Sequence, residues 1–287
     1  KLMNGKLIIA GGNLEESEYK IHDYFIKNAY KPGKKIAIVP TASGNEPIET
    51  IRHVNDIWVD LGVAKEDIIT IPIYGDEGEL WRDPPLGDYD EIVDIMKDIN
   101  GFWFTGGDQF YTHKAFIRKN GEDTKALLKM KEIYESGGTI GGTSAGAAIM
   151  SKIMIGSGDN TDVLKGRIKH SYDDYDEEND DYMRIVKGLG FFEWGVVDQH
   201  FDKRARILRL ARAVLEPSNK TLLGFGVSED TALIYDKGNE SIEVLGSGAI
   251  FILDLNQANN CRTDEQFSFE KMNVSIMREG DHKKFPI

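Results

Sequence analysis

The sequence predicts an α/β protein: a mostly parallel central sheet with helices on both faces, followed by an antiparallel β extension. Two observations carry this. Short apolar runs at residues 6–10, 35–39, 68–73, 101–105 and 139–141 alternate with longer amphipathic stretches, the strand–helix alternation of a parallel sheet covered on both faces. From residue 241 to 276 the pattern changes to short runs separated by glycine turns, as in antiparallel strands.

Taken in order, residues 6–10 form a buried strand closed by Gly11-Gly12, and 16–30 an amphipathic helix. Residues 35–39 are the second strand, stopped by Pro40. The loop 41–45 then lies at the carboxyl edge of the sheet, where ligand contacts gather in open α/β folds. A helix at 46–61, a strand at 68–73 and a helix at 88–99 follow. The strand 101–105 ends in Gly106-Gly107-Asp108-Gln109, and a helix at 124–136 leads to the strand 139–141. Residues 157–187 break the alternation. They are polar and contain a dense acidic segment, 173–181, which reads either as a solvated surface insertion or as a rim that attracts a cationic substrate. Order returns with a strand at 195–201, a basic helix at 202–215 carrying Arg204, Arg206, Arg209 and Arg212, and strands around 222–227 and 228–235. With no internal repeat and no long linker, residues 1–287 are expected to form a single α/β domain.

Composition narrows the function classes. A chain of 287 residues, 40% hydrophobic, can bury a large core. Its net charge of −13 argues against nucleic acid or an anionic membrane as partner. No apolar run approaches the roughly 20 residues that cross a bilayer. Cys261 is the only cysteine, which excludes an intrachain disulfide and a thiolate metal cluster. A reducing cytoplasm is the expected compartment.

The chemistry centres on Gly142-Thr143-Ser144-Ala145-Gly146, which fits the Gly-x-Ser-x-Gly nucleophile elbow. The elbow is a sharp strand-to-helix turn, and small residues flank the serine because the backbone there is crowded. A serine hydroxyl needs a base. Of six histidines, His200 is the one that ends a strand, beside Asp198 and Gln199. A carboxylate should then orient the imidazole. Glu229, between two buried runs, is preferred, and Asp198 is the rival. The order Ser144, His200, Glu229 differs from the Ser–acid–His order of α/β-hydrolases. The N–H groups of Gly107 and Ala145 could form an oxyanion hole, although Gly106-Gly107 also reads as a tight turn. Arg204, Arg206 and Arg209 suit a substrate carboxylate or, equally, a solvated basic helix face.

Four motifs stand in order: Phe104-Thr105-Gly106-Gly107-Asp108-Gln109; Gly142-Thr143-Ser144-Ala145-Gly146-Ala147-Ala148; Asp198-Gln199-His200-Phe201 with Arg204, Arg206 and Arg209; and Glu229-Asp230-Thr231-Ala232. Together they resemble the cyanophycinases, in the serine peptidase family that includes the aspartyl dipeptidases. The likeness runs from the Gly11-Gly12 turn to the region of Gly280. It implies a fold like that of class I glutamine amidotransferases, with serine in place of their cysteine. It implies Ser144 as nucleophile, His200 as base and Glu229 as orienter, with Gln109, Asp198, Gln199, Arg204, Arg206 and Arg209 as the substrate pocket. The implied substrate is cyanophycin, a poly-aspartate with arginine on each β-carboxyl, and the product β-aspartyl-arginine. A homodimer with no metal or other cofactor is also implied. An α-aspartyl dipeptidase acting on short Asp-X peptides is the alternative within the family. The acidic segment 173–181 matches none of these motifs.

Overall fold

The computed structural model describes residues 5–45, 47–75 and 82–287. Glu46, the expected first residue of the second helix, lies outside them. The first half of the chain holds β1 (Lys6–Ala10), α1 (Glu18–Ala29), β2 (Lys35–Val39), α2 (Ile48–Asp60), β3 (Ile68–Thr70), α3 (Asp90–Ile95), β4 (Ile99–Phe104), α4 (Gln109–Phe116), α5 (Lys125–Glu135) and β5 (Thr139–Thr143), the expected alternation with α4 as an unexpected addition. The second half holds α6 (Ala145–Ala148), β6 (Ile153–Ser157), α7 (Asn160–Leu164), β7 (Ile168–Lys169), β8 (Met183–Lys187), β9 (Val196–Asp198), α8 (Ile207–Val214), β10 (Leu223–Val227), β11 (Thr231–Asp236), β12 (Ser241–Gly246) and β13 (Ala249–Asp254). It ends with β14 (Asn259–Arg262), β15 (Ser268–Glu270), β16 (Asn273–Arg278) and β17 (His282–Lys284).

The α/β class holds, with one elaboration. The strands form two large sheets. One has the order β17-β12-β11-β1-β5-β4-β2-β3, the other β16-β13-β10-β9-β6-β8-β7. In the first sheet β1, β5, β4, β2 and β3 are parallel, and the antiparallel β11, β12 and β17 widen it beside β1. The strand that ends near His200, β9, belongs to the second sheet, between β6 and β10.

Alternation along the strands explains the layering. Leu7 and Ile9 point inward with Phe102, Phe104, Val197, Phe225 and Val227, so the two sheets share one core with α6 within it. Ile8, Ala10, Ile36 and Ile38 point outward against Phe25 of α1 and Trp58 of α2. Ile155, Met183 and Val196 of the second sheet cover Leu210 and Val214 of α8. Among the described residues no helix is long and apolar enough to cross a membrane.

Several elements differ from the sequence reading, beginning with the strand expected at 68–73, which ends at Thr70. The basic helix expected from residue 202 begins at Ile207. The chain reverses at His200, whose φ is +47°, and the side chain of Asn160 caps the later start by accepting from Leu208 N (2.9 Å) and Arg209 N (3.2 Å). Arg204 therefore stands in a turn, off the helix. The helix expected at 88–99 is confined to Asp90–Ile95 with 3₁₀ turns at each end, and Ile99 already belongs to β4. In the stretch 157–187 the acidic part 173–181 is mostly exposed, as a solvated segment should be, but the stretch as a whole is more than a surface insertion. It supplies β8 to the second sheet and buries Arg184 completely.

The packing yields a stability prediction. Phe25 is fully buried, stacked on Trp58 at 5.3 Å and edge-on to Trp103 at 5.5 Å. Phe25→Ala should lower the free energy of unfolding in urea by about 3–5 kcal/mol, the usual cost of deleting a buried ring. A loss below about 1 kcal/mol would contradict this account of the outer layer.

Candidate active site

Three strand ends meet at one edge of the shared core. β5 runs into Ser144, whose φ of 55° and ψ of −111° turn the chain sharply into α6. β9 runs into His200, and Glu229 lies between β10 and β11. Ser144 Oγ is 2.7 Å from His200 Nε2, and His200 Nδ1 is 2.8 Å from Glu229 Oε1. The three side chains thus form one hydrogen-bonded line. In the neutral imidazole, Nδ1–H donates to the carboxylate and Nε2 is left to accept from the serine. Burial lowers the His200 pKa below its ordinary value; the Glu229 hydrogen bond opposes the shift, and the Arg204 and Arg206 charges add to it. Burial tends to raise the Glu229 pKa, but hydrogen bonds from His200 and Asn13 outweigh it and keep the carboxyl ionised below the usual range.

The loop after β1 holds this line in place. Ala10 O accepts from Ser144 N at 3.0 Å, Gly11 O from His200 N at 2.8 Å, and Gly12 O from Asp230 N at 3.0 Å. Asn13 Nδ2 donates to Glu229 Oε2 at 3.0 Å. Gly12 has φ +99°, and a Cβ there would lie 2.4 Å from His200 Cε1; only glycine fits. Asp230 braces the far side, accepting from Glu15 N, Ser17 N, Ser17 Oγ and Ser247 Oγ. Asp202 accepts from Glu229 N. Sequence reasoning saw Gly11-Gly12 as a turn and passed over Asn13. The available signal was Ala10-Gly11-Gly12-Asn13 at the end of a buried first strand.

Of the residues around the expected oxyanion donors, Gly106 and Ala145 lie next to Ser144. A Cβ on Gly106 would be 3.6 Å from Ser144 Cβ. Gly107, exposed with φ +136°, has its backbone against Ala42 O, where a Cβ would come within 1.9 Å. Asp108 N donates to that same oxygen at 2.8 Å. Ala145 is the first residue of α6, so its N–H has no helical acceptor.

The residues expected to line a pocket divide into two pairs and two single residues. Asp198 and Arg209 are sealed together. Arg209 Nε donates to Asp198 Oδ2 at 2.9 Å and Nη2 to Oδ1 at 2.6 Å, while Nη1 bonds Gly158 O. The imidazole therefore bonds Glu229, and Asp198, the rival carboxylate, faces Arg209 instead. A buried charge demands such a partner, and the pairing turns both side chains away from solvent. Gln199 and Arg206 form the second pair. Arg206 Nη1 bonds Gln199 O at 2.6 Å and Gln199 Oε1 at 2.8 Å. Burial and the nearby Arg209 charge push the Arg206 pKa down to about 9, which still leaves a cation at neutral pH. Gln109, also buried, donates from Nε2 to Ile155 O. Arg204 stands alone as an exposed cation of this set.

The model of peptidase family S51 matches residues 7–243. A cyanophycinase from Synechococcus elongatus is 28% identical over 252 residues, 86% of this chain and 68% of that protein. One from Geminocystis herdmanii is 27% identical over 286 residues, 98% of this chain and 93% of the relative. A crystal structure described as a peptidase from an acI-B1 Actinobacterium superposes with a TM-score of 0.66 at 21% identity, covering 99% of this chain and 98% of its own, a likeness of fold.

The Asp198–Arg209 pair gives a second prediction. Asp198→Ala would leave Arg209 buried without its carboxylate. Unfolding stability should fall by about 3–5 kcal/mol, read from urea denaturation. A change below about 1 kcal/mol would mean that the pair is not the closed contact described.

Proposed function

This chain belongs to peptidase family S51 and is a serine-type peptidase, and we propose that it hydrolyses cyanophycin to β-aspartyl-arginine through an acyl-enzyme on Ser144. The single observation that carries the proposal is the unbroken hydrogen-bond line from Ser144 through His200 to Glu229. His200 Nε2 takes the hydroxyl proton as Ser144 Oγ attacks the scissile backbone carbonyl. The N–H groups of Gly107 and Ala145 hold the oxygen that becomes negative. Collapse of the tetrahedral intermediate breaks the C–N bond, and the imidazolium returns its proton to the leaving amine. Water then repeats the sequence on the acyl ester and frees Ser144. Glu229 keeps Nδ1 protonated and stabilises the imidazolium, while Asn13 keeps Glu229 from turning away.

Charge supports the substrate assignment. Each substrate unit carries an arginine with a carboxylate and a guanidinium. Arg206, partly committed to Gln199, and the exposed Arg204 stand close enough to His200 to depress its pKa. Two cations so near the reacting centre suit a carboxylate on the substrate.

Purified enzyme incubated with cyanophycin should release β-aspartyl-arginine, detected by mass spectrometry; an undigested polymer would sink the substrate assignment. Ser144→Ala should lower kcat by roughly 10⁴-fold or more, and Glu229→Gln by about 10³–10⁴-fold. Full activity in either variant would remove that residue from the mechanism. The pH profile follows from His200. Its neutral form is the base, and its pKa lies below the ordinary 6.5. The acid limb of kcat/KM, which reports the free enzyme, should therefore fall below pH 6.5, with activity kept at neutral pH. A limb centred above pH 7 would contradict the buried environment of the imidazole.

A further inference from the structure

The acidic segment between β7 and β8 reaches back to the loop beside the nucleophile. Arg184 on β8 is fully buried and anchors it. Its Nη2 and Nε bond Asp180, and its Nη1 bonds Ser171 O at 2.9 Å and Asp173 O at 2.7 Å. The guanidinium lies 5.4 Å from the centre of the Tyr175 ring. Phe110 and Tyr172 pack against the same ring at 4.7 Å and 5.1 Å. Held on these sides, Tyr175 donates its hydroxyl to Asp108 Oδ2 at 2.6 Å.

Asp108 is where that contact acquires a consequence. It directly follows Gly107. Its N–H is fixed to Ala42 O, and its Oδ1 caps α4 by accepting from Phe110 N at 2.9 Å. Burial, with Glu177 and Asp180 nearby, pushes its pKa up to about 6 despite the hydrogen bonds from Tyr175 and Phe110. A carboxylate in such surroundings depends on its donors, and among the described residues the Tyr175 hydroxyl is the one that comes from outside α4.

We propose that Tyr175 is a positioning residue for the oxyanion loop: its hydroxyl, held by the Arg184-anchored strap, fixes Asp108 and through it the direction of the Gly107 N–H. The inference rests on the proposed role of Gly107 as an oxyanion donor. It gives the acidic segment a task that neither a solvated insertion nor a rim for cationic substrates supplies. Because the oxyanion exists only after attack, a misdirected N–H lowers kcat and leaves substrate binding alone.

Tyr175→Phe removes one oxygen and keeps the packed ring. On cyanophycin, kcat should fall roughly ten-fold or more, short of the loss expected for deleting an oxyanion donor outright, with KM within about two-fold of wild type. Glu177→Ala is the control for general loosening. Glu177 ties the strap to Tyr111 at 3.0 Å and leaves the Tyr175–Asp108 bond intact, so at least half of wild-type kcat should remain. The rate at which phenylmethanesulfonyl fluoride labels Ser144 is measured in parallel, needs no peptide, and should fall by a similar factor in Tyr175→Phe alone. Unchanged kcat and labelling in Tyr175→Phe, a raised KM with unchanged kcat, or an equal loss in Glu177→Ala would each overturn the proposal. Failure of the wild-type enzyme on cyanophycin with normal Ser144 labelling would instead sink the substrate assignment, and the labelling rates would still decide the role of Tyr175.

Discussion

Three successive carbonyls after the first strand set the geometry on which the site depends. Ala10, Gly11 and Gly12 accept in turn from the N–H groups of Ser144, His200 and Asp230. Those three donors are also residues with positive φ: 55°, 47° and 50°. Holding a non-glycine residue in that region costs of order 1–3 kcal/mol. Each strained residue is thus fixed by a bond to the same short loop, which offsets part of the strain and sets the mutual spacing of Ser144, His200 and Asp230. Gly12 could not be anything larger, because the imidazole occupies the space of its missing side chain.

The charges near the site follow from the same crowding. A chain of net charge −13 concentrates arginines here, yet most of their hydrogen-bonding capacity is spent inside the protein. Arg209 closes on Asp198, and Arg184 closes on Asp180 and two carbonyls. Burial makes such pairing obligatory, since an unpaired guanidinium in the core is far more costly than the pair itself. Arg206, bonded through Nη1 to Gln199, and the exposed Arg204 are less completely committed. Their field, together with burial, keeps His200 neutral where a surface histidine would begin to take up a proton.

Much of this could be read from residues, and the limits have physical causes. The elbow at Ser144 was legible because a strained turn needs small neighbours at fixed offsets. His200 and Glu229 were legible because polar groups ending buried runs need a reason. Asn13 was not, since a polar residue after Gly-Gly looks like any loop residue until its partner, far along the chain, is known. The start of α8 was misread for a similar reason: amphipathic periodicity registers the helix but not the cap supplied by Asn160. The acidic segment is as exposed as its charge density suggests; what composition hides is its anchor, because Arg184 sits in a short strand and resembles an ordinary edge cation. The division of the strands between two sheets is a matter of long-range pairing, to which local periodicity is blind.

That division explains why so many small contacts converge on the site. Ser144 follows a strand of one sheet and His200 a strand of the other, so no single sheet's hydrogen bonding can fix the 2.7 Å between them. A shared apolar core brings the sheets together but is non-directional; direction has to come from bonds that cross the joint. Gly11 O to His200 N crosses it on one side, and the Gln109 amide to Ile155 O crosses it on another. The Tyr175–Asp108 bond does the same from the strap, which is attached to the second sheet through β8 and reaches a loop that ends a strand of the first. The polar groups around the nucleophile therefore serve to register two sheets against each other as much as to meet a substrate, which is why several of them point away from the solvent that a substrate would displace.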